Sequence, residues 1–131
     1  MEQEVQAAFA EMLDISTDID RAVLFGPDGV LASNMAAEAQ TVAIAQAAEI
    51  IRLGEARVSE MGSQPFTQLV VETPGGHVFF AREIRPDAMA ILATGKKGSR
   101  VGLVLYDLRT CMRDAREATG SAGAGQESGE A

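Results

Sequence analysis

MAAEAQTVAIAQAAEIIRLGEARVSEM, residues 35–61, is alanine-rich, free of proline and followed at once by Gly62. As one helix it would span roughly 40 Å at about 1.5 Å per residue. Ser33 or Asn34 is placed to cap its start, and Gly62 to end it in a left-handed conformation. At about 100° per residue its apolar side chains, from Val42 and Leu53 through Ile50, Ala43 and Ala47 to Val58, Ile51 and Ile44, cover an arc of roughly 200°. A helix resting on a single sheet needs about half that arc. Two burial surfaces are therefore expected, one against the helix's own sheet and one against something outside the subunit.

Working outward, the flanks alternate between strand and helix patterns. Glu2–Asp14 repeats apolar residues (Val5, Ala8, Phe9, Met12, Leu13) at helical spacing. Arg21–Phe25 and Val30–Ser33 are short apolar strands around the turn Gly26-Pro27-Asp28-Gly29, which predicts a hairpin. After the long helix, Phe66–Thr73, His77–Ile84 and Ala88–Thr94 are strands punctuated by Pro65, Pro74, Gly75-Gly76 and Pro86, and they predict an antiparallel meander. Each is partly apolar on both faces, as expected of a sheet covered on two sides. Residues 100–119 form a last amphipathic helix with Val101, Val104, Leu105, Leu108, Cys111, Met112 and Ala115 on its apolar stripe. Residues 1–118 are thus expected to make one domain, and the Gly/Ser/Ala/Glu-rich residues 119–131 a disordered tail.

Charge and composition narrow the function classes. With 131 residues, 47% hydrophobic, and a net charge of −8, the chain suits a compact domain that does not take nucleic acid or an anionic membrane as its main partner. The single cysteine, Cys111, excludes an internal disulfide and falls on an apolar stripe, so it reads as a buried small hydrophobe. No apolar run of about 18 residues appears, and the cytoplasm is the expected compartment. His77 is the only histidine and has no nucleophile at a diagnostic spacing. Gly95-Lys96-Lys97-Gly98-Ser99 lacks the Gly-Lys-Ser/Thr order of a P-loop, and Ser99 reads as a helix cap. No catalytic residue, metal ligand or cofactor site is predicted. Acids alone occupy the first twenty residues, whereas Lys96, Lys97, Arg100, Arg109, Arg113 and Arg116 cluster near the last helix. Mutual neutralisation between the first and last helices is the expectation, with a basic docking patch as the alternative.

The hairpin AVLFGPDGVLASN, the alanine-rich helix after it, the strand-turn-strand VVETPGGHVFFAREI and the closing AILATGKKGSRVGLVLYDLR, taken in that order over about residues 3–118, resemble the roadblock / dynein light chain family, in particular its bacterial MglB-type members. The resemblance implies a three-layer, profilin-like α/β (α+β) fold. Its order would be helix-strand-strand-helix-strand-strand-strand-helix, a five-stranded antiparallel sheet between one long helix and the N- and C-terminal helices. It also implies homodimers or heterodimers and a role as scaffold or regulator of a small Ras-like GTPase. A small-molecule sensor, or a generic dimerisation module in a signalling complex, is the alternative, and it would need a concave apolar pocket.

The wide apolar arc and the proline-flanked strand at 66–73 locate the expected homodimer contact at Val42, Ala43, Ala47, Ile50, Gly54, Val58, Phe66, Gln68 and Val70. Gly54, costly inside a helix by about 1 kcal/mol, would permit close approach of another backbone. The remaining face of the helix, Glu38, Thr41, Ala45, Glu49, Arg52, Glu55 and Ser59, is the expected GTPase docking platform, with Arg52 its leading residue. No arginine-finger role is assigned to it.

Overall fold

A computed structural model describes residues 2–130, with side chains through 118. Its elements are α1 (Glu2–Ile15), β1 (Ile19–Gly26), β2 (Gly29–Ser33), α2 (Ala37–Glu60), β3 (Gln68–Thr73), β4 (Gly76–Arg82), β5 (Ala90–Lys96) and α3 (Val101–Glu130). The expected tail at 119–131 lies outside the residues whose side chains are described. The five strands form one antiparallel sheet in the order β2-β1-β5-β4-β3. Sequence order and helix-strand pattern are those expected, and β3 is an edge strand.

Strand alternation divides the core in two. Ala22, Leu24, Phe79, Ala81, Ile91 and Ala93 point to one face, where α1 and α3 pack beside each other and contribute Val5, Phe9, Met12, Val104, Leu105 and Leu108. Val23, Phe80, Ala90 and Leu92 point to the other face and meet Ala43 and Ala47 of α2. Register keeps these sets in rows: Val23 pairs with Leu92, Leu92 with Phe80, and Phe80 with Leu69. Period-two alternation makes any one-residue slip exchange the two cores, so the buried faces hold the register.

The helix ends differ in part from expectation. Gly62 adopts φ +70°, its N–H donates to Ser59 O and the Ser63 N–H to Val58 O, the paired bonds of a Schellman stop. At the start of α2, however, neither Ser33 nor Asn34 caps the helix; the N-cap is Ala36, with no side-chain bond. Asn34 instead accepts from the Ala22 N–H at 2.8 Å and donates to Asp20 O at 3.0 Å, and Ser33 Oγ donates to Ala22 O at 2.8 Å. Both side chains are thus engaged by β1, where they extend the β1–β2 ladder, and Ser33 Oγ also accepts from the Met35 N–H at 2.9 Å.

The start of α3 is capped over a long sequence distance. Asp18, in the loop after α1, accepts from the Arg100 N–H at 2.9 Å and from Arg100 Nε at 3.0 Å, with Lys96 Nζ at 3.6 Å. These bonds, led by the Arg100 backbone N–H, hold the Asp18 carboxyl below its ordinary pKa. Ser99 is not the cap; its hydroxyl donates to Lys96 O at 2.5 Å. A carboxylate from the chain itself thus sits where the Gly-Lys-Lys-Gly-Ser segment would offer a free N–H to a phosphate.

Candidate functional site

α2 covers the sheet incompletely. Its buried residues are Ala43 and Ala47, with Ile50 and Ile51 half-buried beside them. About 90° around the helix from these lies a second line of side chains, Val42, Gln46 and Leu53. Val42 is 56% exposed and Leu53 59% exposed. Beneath this flank the sheet row Arg21, Thr94, Val78 and Val71, paired across four strands, is only partly covered, and Val71 remains 45% exposed. A groove of about 430 Å³ runs there between Met35, Val42 and Gln46 of the helix side and Val78, Leu92 and Thr94 of the sheet. A second, of about 390 Å³, continues along Leu53, Arg57 and Val58 to Phe66 and Leu69. The two grooves are lined mostly by apolar side chains with a few polar ones among them (Gln46, Thr94, Arg57), and the second reaches β3, the edge strand.

The nine residues expected at a dimer contact are not all on this flank. Val42 lies on it, and Val58 and Phe66 border it. Ala43 and Ala47 are used by the sheet of their own subunit, and Ile50 packs partly against the same cluster. Val70 points to the opposite face, where it packs against the α1/α3 core, and Gln68 is on that face too, accepting a hydrogen bond from Arg109. Leu53 and Val71, absent from the expected set, are among the most exposed apolar residues of the flank. Leu53 falls in angular line with Val42, eleven residues earlier, and Val71 alternates with Leu69, so periodicity alone could have placed both.

Gly54 makes the close approach expected of it, but to a ring and not to a backbone. A Cβ at Gly54 would lie 2.5 Å from Phe66 Cε1. The same ring stands 6.1 Å from Phe80, and the Arg82 guanidinium lies over it at 4.5 Å. Arg82 also donates to Phe66 O at 3.0 Å and pairs with Glu55. Glu55 is therefore turned toward the sheet and leaves the docking platform. Together these contacts fix the segment entering β3 against the last third of α2, and so fix the edge strand relative to the flank.

The rest of the expected platform, Glu38, Thr41, Ala45, Glu49, Arg52 and Ser59, is exposed, although Glu38 also lines the groove beside Val42. Arg52 bonds Glu49 one turn away, Nε to Oε2 at 2.9 Å. Across the sheet, the basic residues of α3 are neutralised mainly from elsewhere than α1. Arg116 bonds Glu83 and Asp87, and Arg100 and Lys96 bond Asp18. Burial raises the Glu83 carboxyl, but the Arg116 hydrogen bond, the Met89 N–H and the charges of Arg116 and Arg85 outweigh it and hold Glu83 below its ordinary value. Cys111 is buried, and that burial pushes its thiol up to about 12, so it stays protonated and acts as core. His77 stacks on Phe79 at 5.8 Å with Glu72 at 3.8 Å, away from any nucleophile.

No helix among the described residues is long and apolar enough to cross a membrane. Neither a protein-family model nor a curated protein matches the sequence. Solved structures do match. Myxococcus xanthus MglB superposes with a TM-score of 0.73 at 10% identity, over 92% of this chain and 90% of its own. The gliding protein MglB from Thermus thermophilus gives 0.68 at 15% identity, over 88% and 90%. A Roadblock/LC7 domain from Streptomyces avermitilis gives 0.74 at 14% identity, over 87% and 96%. These superpositions cover most of this chain and of each matched chain, and the fold of this chain is the roadblock fold.

Proposed function

We propose that this chain is a homodimeric, non-catalytic regulator or scaffold of a small Ras-like GTPase. The observation that carries the dimer is the unfinished flank: Val42, Leu53 and Val71 exposed in one apolar strip beside an unpaired strand edge. A contiguous apolar surface rimmed by polar groups marks an interaction site, and an open edge presents unpaired N–H and C=O groups to another strand. Two β3 edges meeting antiparallel would join the sheets, and the Val42–Leu53 flanks of two α2 helices would close over Val71 and Val78. Phe66, held by Gly54 and Arg82, sets the spacing of that joint.

The GTPase then docks on the outward faces of the paired helices, Glu38, Thr41, Ala45, Glu49, Arg52 and Ser59. The likeness to MglB structures supports the fold of such a scaffold, and the sequence resemblance supports the class of partner. Arg52 is the residue on which binding turns. Leaving Glu49 for a partner carboxylate costs little, because an exposed pair contributes about 0–1 kcal/mol. A sensor role finds less support, since the grooves of about 390–480 Å³ lie open to solvent, one of them lined largely by the charged Glu55, Arg82, Glu83 and Arg85, and the most enclosed pocket, about 50 Å³, is far below the roughly 300–1,000 Å³ of a small-molecule site.

The test is co-purification with a small GTPase from the same cell, followed by Arg52→Glu and Arg113→Glu compared for dimer mass and GTPase binding. Loss of binding in Arg52→Glu with dimer mass retained is the expected result. Loss in Arg113→Glu alone would move the platform to the other face of the sheet.

A further inference from the structure

On the opposite side of the molecule from α2, α1 and α3 enclose a small pocket of about 50 Å³ lined by Ala8, Glu11, Met12, Ile15, Asp107, Thr110, Cys111 and Asp114. Three of those residues are acids and none is a lysine or arginine. Asp107 is 8% exposed, and its Oδ2 is fully buried with no hydrogen-bond partner among the described residues. A buried acceptor left unpaired carries its full desolvation penalty, and a donor brought to the Asp107 carboxyl would offset it. Ile15, which lines the pocket, is 62% exposed, and Leu103 and Tyr106, earlier on α3, are 44% and 57% exposed. Leu103 stands one turn before Asp107 on the same face of α3, so apolar contact and carboxylate fall in one line.

We infer that this groove is a second docking surface, which takes one lysine side chain from an amphipathic helix of a partner protein. The charge is complementary, with Asp107 at the floor and Glu11 and Asp114 at the mouth, where Asp114 also pairs with Arg113 at 3.3 Å. A pocket this small admits a compact ammonium on a slender stem more readily than a planar guanidinium. Ile15, Leu103 and Tyr106 would cover the apolar residues flanking that lysine, as in helix-in-groove recognition. Because it lies across the sheet from α2, a partner here would leave the α2 flank and its outer face free.

The probe is a synthetic amphipathic helical peptide with one lysine set between leucines on its apolar face, titrated into the full chain by calorimetry and by amide chemical shifts. Binding should perturb Ala8, Glu11, Ile15 and Thr110. Asp107→Asn should weaken it by at least about tenfold, as should lysine→norleucine in the peptide. Arg52→Glu should leave it unchanged, and Asp107→Asn should melt no lower than the parent, since an unpaired buried carboxylate is being removed. The inference is overturned if the norleucine peptide binds equally well, if no peptide perturbs these amides, or if Mg²⁺ or Ca²⁺ alone shifts them and occupies Asp107. It is equally overturned if Asp107→Asn melts several degrees lower, which would give the carboxylate a partner within the fold.

Discussion

The two faces of the sheet are built to different degrees of completion. Among the described residues, eighteen buried side chains make the α1/α3 core and only six make the α2 core, where seven further hydrophobics are partly covered. Two helices shield the first face, whereas one helix, whose buried residues are the two alanines Ala43 and Ala47, shields the second. Small side chains bring α2 close to the strands but leave its flanks without bulk to spread over β3 and β4. One face is thus finished within the subunit, and the other is left partly open. Stability and assembly should therefore be separable by mutation.

Leu108, fully buried between α3 and the sheet, is the sharpest probe of the finished face. Leu108→Ala should cost about 2–5 kcal/mol of unfolding free energy through lost transfer energy and the cavity left behind. Urea denaturation measures it. On the open face the doubly substituted chain Leu53→Asp, Val71→Lys should instead keep its monomer stability within about 0.5 kcal/mol, as exposed substitutions do, while dimer dissociation rises by at least about tenfold. Sedimentation across a concentration series reads that constant. Should the two losses appear together in either variant, the division between faces would fail.

Much of this asymmetry was legible in the sequence, because it rests on periodicity. The helix pattern at 35–61 spread its apolar residues too widely for one sheet, and the structure resolves that arc into a buried line, Ala43 and Ala47, and an exposed one, Val42 and Leu53. The hairpin, the meander and the edge character of β3 followed from turn residues and flanking prolines, whereas the pairing of β1 with β5 that joins them did not. What periodicity could not supply was the partner of a side chain far away in sequence. Asp18 at the start of α3, Phe66 over Gly54, and Glu55 turned inward to Arg82 all depend on how separate elements cross. Asp107 was missed for a different reason: it sits three residues after Val104 and four before Cys111, within reach of the apolar stripe, and a polar residue so placed is the signal that was available.

Gly54 joins the two regions of the open face, and its effect should be smaller. Alanine there gains about 1 kcal/mol of helix propensity, yet its Cβ would meet the Phe66 ring at 2.5 Å. Overpacking costs typically about 1–3 kcal/mol. Because the ring is held between Phe80 and Arg82, the net should be a loss of about 1 kcal/mol accompanied by a weaker dimer. A higher melting temperature in Gly54→Ala would mean that the ring moves aside freely and that it does not set the position of β3.

The smallest effect, and the one that separates the faces most cleanly, is pH dependence at Asp18. Its carboxyl is held below the ordinary carboxylate value by the Arg100 backbone N–H, then by the Arg100 side chain and the charges of Arg100 and Lys96, against an opposing effect of burial. A depressed carboxyl contributes stability that is fully present above its unfolded value, about 3.9, and that is lost as pH falls through its folded value. Asp18→Asn should thus lie below the parent in unfolding free energy by a constant margin from pH 7 down to about pH 5. Below about pH 4 the two curves should converge, as the parent's carboxyl takes up its proton in the unfolded state first. Asp18 ties the α1–β1 loop to β5 and α3 and touches nothing on the α2 flank, so the dimer constant near neutral pH should be the same in parent and variant. A margin that instead widens toward acid would assign the Asp18 carboxyl the opposite shift, and a dimer constant that followed the substitution would mean that the finished face helps to set the open one.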